Sequence, residues 1–124
     1  MSRRGACGLL TVLLLGACAS RVPETGFAEP AAIESAVTRY YESNASEEYE
    51  TCLTPYIDGL TRTAVVEEQP EQLVLDVHYF YRDRFKSDND SGIGRECTGF
   101  AHRQFTLAKA GGGVEVVAMS ESRR

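Results

Sequence analysis

The stretch LVLDVHYFY at residues 73–81 constrains this chain more than any other feature. Leu73, Leu75, Val77, Tyr79 and Tyr81 fall on one side of an extended chain, and Val74, Asp76, His78, Phe80 and Arg82 on the other. Successive strand side chains point to opposite faces, and β-branched and aromatic residues suit a pleated, half-buried surface. One face is wholly apolar and has to be covered; the other is mixed and can meet water. A polar, glycine-containing loop at 83–96 (DRFKSDNDSGIGRE) leads from this strand to a second at 97–109. If that loop closes a hairpin symmetrically, paired residue numbers sum to about 180. Tyr79 then lies opposite Ala101, Leu75 opposite Phe105, and His78 opposite His102.

Two further strands are predicted, at 60–68 before a turn at Gln69-Pro70-Glu71 and at 114–119 after a tight connection at 110–113. Ahead of them, Glu29-Pro30 opens a helix, since Pro suits the first turn and an acidic residue suits the positive helix end. Ile33, Val37, Tyr40 and Tyr41 form its apolar stripe. Tyr49, Cys52 and Leu53 suggest a second short helical stripe, stopped by Pro55. The pattern predicts a single α+β domain over residues 30–120, with a tail at 121–124. An N-terminal helical region would pack on a four-stranded antiparallel meander sheet. This order of elements over residues 30–119 loosely resembles the cystatin-like and nuclear-transport-factor-2-like folds, in which a helix packs into a curved sheet. The resemblance rests on order and size, and it carries over no functional residue.

The amino terminus has a different character. Arg3-Arg4 precedes a short apolar run, GLLTVLLLG at residues 8–16, which leads to Leu15-Gly16-Ala17-Cys18. About 20 apolar residues are needed to cross a bilayer, so this run is too short to span one. A basic head, a brief apolar middle and a small-residue exit describe a secretory signal peptide. The closing Leu15-Gly16-Ala17-Cys18 resembles the lipobox of bacterial lipoproteins. The resemblance implies residues 1–17 as a cleaved signal peptide and a thioether-linked diacylglycerol on Cys18. Ala19, by the same resemblance, favours the outer membrane, with the domain facing the periplasm. Each buried methylene of such an anchor contributes about 0.8 kcal/mol. Residues 18–29 contain Pro23 and Gly26 and show no periodicity, so they read as a flexible tether.

Charge and cysteine usage agree with that compartment. Without Arg3 and Arg4 the chain keeps 11 basic residues against 18 acidic ones, a formal charge of −7. Phosphate contacts need clustered Lys and Arg, which excludes nucleic acid as a partner. The membrane, through the lipid, and an envelope protein remain as expected partners. Cys52 and Cys97 outlast signal removal and lipidation, and in an oxidising compartment they are most simply a disulfide. Metal ligation or a redox pair are the alternatives, although neither cysteine sits in a Cys-x-x-Cys motif.

Candidate chemistry is sparse. His78 and His102 would be neighbours on the mixed face, flanked by Asp76 and Gln104, and two imidazoles with a carboxylate can hold a divalent transition metal. Tyr79, Tyr81 and Arg103 would face the helix and line a ligand pocket at the open end of the curved sheet. Arg103 interrupts an apolar alternation, so it would pair with Glu34 or another helix carboxylate, or extend to the edge. Glu47-Glu48 is expected on a solvated element. No nucleophile elbow occurs, and Gly111-Gly112-Gly113 lacks the Lys-Ser/Thr of a phosphate loop, so neither catalysis nor a cofactor is expected. The expected function is that of a small anchored interaction or accessory module; a pocket between helix and sheet, or a weak metal site at His78 and His102, is the alternative.

Overall fold

A computed structural model describes residues 21–83 and 97–124 of the chain. The expected signal peptide, Cys18 and most of the 83–96 loop lie outside those residues. One helix, α1 (Pro30–Asn44), precedes four strands, β1 (Pro55–Glu68), β2 (Gln72–Asp83), β3 (Thr98–Ala110) and β4 (Gly113–Met119). The strands form a single antiparallel sheet in the order β1-β2-β3-β4. The domain is therefore α+β and mostly sheet, with the helix packed on one face.

Pro30 occupies the first turn of α1, and the Glu29 carbonyl accepts from the amides of Ala32 and Ile33. The helix buries Ile33, Ala36, Val37 and Tyr41 and leaves Tyr40 at the rim. Its backbone approaches the two edge strands, β1 and β4, more closely than the central pair. The sheet thus curls around the helix, and large side chains from β2 and β3 fill the space between. Leu75 and Phe105 oppose each other there, both fully buried. Truncating Phe105 to Ala would open a cavity costing about 3–5 kcal/mol.

The β2–β3 register is the expected one: Tyr79 pairs with Ala101, Leu75 with Phe105, and His78 with His102. At Tyr81 the partner is Gly99, and a Cβ there would stand 2.8 Å from the Tyr81 hydroxyl. Glycine makes room for the ring. The β3–β4 hairpin turns through Gly111 and Gly112, both in the left-handed region at φ 52° and 84°.

Three expectations need correction. First, residues 46–53 are not helical: Tyr49 is 98% and Leu53 70% exposed. Glu48, Tyr49 and Glu50 take φ of 55°, 56° and 66°, which no right-handed helix can accommodate. They reverse the chain so that Glu47 and Cys52 exchange two backbone hydrogen bonds, each 3.0 Å. Pro55 then begins β1 instead of closing a helix. Second, residues 21–29 are more than a tether, because Val22 and Phe27 are buried in the core. The Gly26 amide donates to Glu68 Oε1 at 3.0 Å, and Lys109 Nζ sits 5.4 Å from the centre of the Phe27 ring. Third, the 121–124 tail joins the sheet: Arg123 and His102 exchange two backbone hydrogen bonds of 2.9 Å each.

Candidate functional site

Two constellations of polar side chains arise from this fold, one inside the curl of the sheet and one on its outer face. The inner one centres on Glu47, which is 3% exposed although expected to be solvated. The chain reversal at 48–50 turns its carboxylate inward. Glu47 Oε1 accepts from the hydroxyls of Tyr41 at 2.9 Å and Tyr79 at 2.5 Å, and from Arg103 Nη2 at 3.1 Å. Arg103, 5% exposed, also donates from Nε to the Tyr79 hydroxyl at 2.9 Å. Its Nη1 donates to the Ser120 carbonyl at 2.9 Å and its Nη2 to the Ser46 carbonyl at 2.6 Å. The partner of Arg103 is therefore Glu47, not Glu34 on the helix.

Burying charge is costly unless it is paired and hydrogen-bonded, and this cluster meets both conditions. Its electrostatics follow. Burial first, and then the neighbouring Tyr79 and Glu47, hold the Tyr41 hydroxyl far above the ordinary tyrosine range. Tyr79 is raised for the same leading reason, reinforced by its bond to Glu47. Burial and a 3.1 Å bond to Glu48 push Tyr81 up to about 12. For Arg103 burial works against the charge, but contacts with Tyr79 and Glu47 outweigh it and leave the guanidinium above its usual value.

Tyr79, Tyr81 and Arg103 do share the helix-facing side, as expected, but Tyr79 and Tyr81 are buried and their hydroxyls are taken up by Glu47 and Glu48. The space between helix and sheet is packed with side chains. A cleft of about 780 Å³ borders the cluster, lined among others by Tyr40, Ser46, Glu47, Tyr49, Arg103 and Ser120. Glu47 and Arg103 reach it; Tyr79 and Tyr81 do not line it. The signal for Glu47 was weak in the sequence, since a glutamate in a polar stretch predicts exposure. A complementary signal was present in Arg103, which sat at an inward position and required an anion.

Cys52 and Cys97 form the expected disulfide, with Cα atoms 5.8 Å apart. It joins the end of the chain reversal to the start of β3. With both sulfurs in the bridge, neither is free as a thiolate to ligate a metal.

On the outer face, His78 and His102 stack with ring centres 4.5 Å apart and planes 6° from parallel. Asp76, two residues before His78 on the same face, bridges them: His78 Nε2 lies 3.1 Å from Oδ2 and His102 Nδ1 3.2 Å from Oδ1. All three side chains are about one-third exposed, at 34%, 29% and 30%. Gln104 pairs with Asp76 across the strands. Further along this face Phe80 and Phe100 pack at 4.9 Å, with the Arg82 guanidinium 5.3 Å from the Phe80 ring centre.

Compared with known proteins, the chain matches no family model, no curated protein and no solved structure. Among the described residues, no helix is long and apolar enough to cross a membrane.

Proposed function

We propose that this protein is a lipid-anchored module of the bacterial envelope that works by binding a protein partner. The observation that carries the reading is the filled interior. The space where a small ligand would sit between helix and sheet is occupied by Tyr41, Tyr79, Phe105 and the Glu47–Arg103 pair. Among the described residues, the hydroxyls of Tyr41 and Tyr79 and the charges of Glu47 and Arg103 are bonded to one another, and Thr63 Oγ1 is the one buried side-chain polar atom without a partner. The disulfide agrees with an exported chain, since such bridges persist in oxidising compartments. The element order, one helix and a four-stranded meander, supports the resemblance to cystatin-like folds.

Partner binding falls to the less defended edge of the sheet. β1 carries three irregularities in its pairing and charged residues at Asp58, Arg62, Glu67 and Glu68, devices that discourage strand addition. β4 has one irregularity and one charged residue, Glu115, and like β1, which exposes Val66, it exposes a valine, Val117. A partner strand added along β4 would use main-chain hydrogen bonds for affinity.

Two measurements test this. Metabolic labelling with a palmitate analogue should mark the parent and leave Cys18→Ala unlabelled and released from membranes; equal labelling refutes the anchor. A photo-crosslinking residue at Val117 should give one discrete adduct in intact cells, while the same residue at Asp58 should not. Identical adduct patterns from both positions would refute edge binding.

A further inference from the structure

We propose that Asp76, His78 and His102 form a binding site for a divalent transition-metal ion, with Zn²⁺ as the probe. The placement is built by the sheet. His78 and His102 are directly opposed in the β2–β3 register, and Asp76 shares their face two residues away. A slip of one residue would send the two rings to opposite faces. That register is held on both sides, by the Leu75–Phe105 core pair below and by the hydrogen-bonded bridge of Arg123 to the His102 backbone beyond.

The distances suit an ion. In a tetrahedral zinc site with bonds of about 2.0–2.1 Å, neighbouring ligand atoms stand roughly 3.3 Å apart. The two imidazole–carboxylate distances are 3.1 and 3.2 Å. One ligand atom from each of the three residues can be chosen so that all lie within 4.8 Å of one another. Modest side-chain rotations, tilting the rings away from their 6° stack, therefore close the site without moving the backbone. Two imidazoles beside a carboxylate favour zinc and its transition-metal neighbours over calcium or magnesium, which prefer all-oxygen ligands.

The surroundings shape what completes the coordination. Arg62 pairs with His78 on β1 and Arg123 with His102, so a row of cationic residues flanks the rings on both sides. Both arginines are exposed. Their charge opposes a bare dication and favours an anionic ligand, such as hydroxide or a carboxylate, in the open position. Three protein ligands with a fourth place open is the arrangement of reactive rather than purely structural zinc sites. The site lies on the opposite face from the Glu47 cluster and does not depend on the lipid anchor.

The test uses the full chain in detergent micelles, stripped with a chelator and titrated with Zn²⁺ by calorimetry, with imidazole resonances followed in parallel. One ion per chain should bind, and both histidine ring signals should shift. His78→Ala, His102→Ala and Asp76→Ala should each weaken binding by about tenfold or more, or about 1.4 kcal/mol. Gln104→Ala should leave it unchanged. Absence of saturable binding, unshifted ring signals in the parent, or affinity equal to the parent's in either histidine variant would each overturn the proposal. The ring signals of the parent decide the matter even if a variant fails to fold.

Discussion

Glu47 and Arg103 meet at 3.1 Å with 2% and 6% of their side chains exposed, so the core of this small domain contains a charge pair. The two residues come from a reversed loop and a central strand, 56 positions apart in the chain. Such a pair contributes little to net stability over an apolar pair of the same shape, but it does not tolerate being halved.

Glu47→Ala should accordingly lose about 3–5 kcal/mol, because Arg103 keeps its charge and loses its anion. The double variant Glu47→Leu/Arg103→Met should recover much of that loss. Urea denaturation of the three proteins gives the comparison. A double variant no more stable than Glu47→Ala would show that the pair's hydrogen bonds to Tyr41, Tyr79, Ser46 and Ser120 matter more than its charges.

The tyrosines around the pair predict alkaline unfolding. In the folded state Tyr81 is pushed up to about 12, and Tyr41 and Tyr79 are raised as well, each chiefly by burial. An unfolded chain releases these protons near pH 10, so between about 10 and 12 the folded state binds more protons than the unfolded one. Stability is then complete below about pH 10 and falls as pH rises through that window. Circular dichroism and tyrosinate absorbance, recorded together, should show absorbance from the buried rings appearing only with loss of structure. Full tyrosinate absorbance in a still-folded protein would contradict the buried cluster.

The Cys52–Cys97 bridge spans a sequence separation of 45 residues. On the chain-entropy estimate a loop of that size contributes about 4 kcal/mol, within the usual range of 2–4 for small domains. Cys97→Ser, or full reduction, should lower the midpoint of thermal unfolding and flatten the transition. No change on reduction would mean that the reversed loop at 47–52 holds itself.

That loop should itself be improvable. Tyr49 stands at φ 56° with 98% of its surface exposed. A non-glycine residue in the left-handed region costs roughly 1–2 kcal/mol, and glycine avoids that cost at the expense of added freedom in the unfolded chain. Tyr49→Gly should stabilise the domain by up to about 1 kcal/mol in equilibrium denaturation. A loss of that size would show that the tyrosine ring is held by contacts across the cleft.

The central hairpin was legible from the sequence because period-two alternation runs unbroken through residues 73–81 and the β2–β3 pairs keep residue numbers that sum to 180. The histidine pair and the disulfide followed from that register and from cysteine count. β1 was only half legible, for a geometric reason. Its inward residues are Ile57, Leu60, Thr63, Val65 and Glu68, with spacings of three as well as two, because irregularities fall after Ile57, Leu60 and Val65. Bulges insert an extra residue and so imitate the helical period. Glu47 was illegible because its burial depends on a backbone reversal through three non-glycine residues, which no local propensity foretells.

The burial of Val22 has a consequence for the proposed anchor. Under the proposed acylation of Cys18, three residues, or four Cα–Cα steps, separate the lipidated cysteine from a side chain locked into the core. An extended chain covers at most about 3.5 Å per residue, so the leash is about 14 Å long at full stretch. The domain would ride against the headgroups rather than swing above them. Gly26 and Phe27, four and five residues after Val22, meet Glu68 and Lys109 at the end of the sheet that carries the β3–β4 hairpin. The opposite end of the sheet, with the disulfide, would look outward by about the length of β2, roughly 40 Å at 3.3 Å per residue. Lengthening the leash by inserting residues after Ala19 would change which partners that outward end can reach.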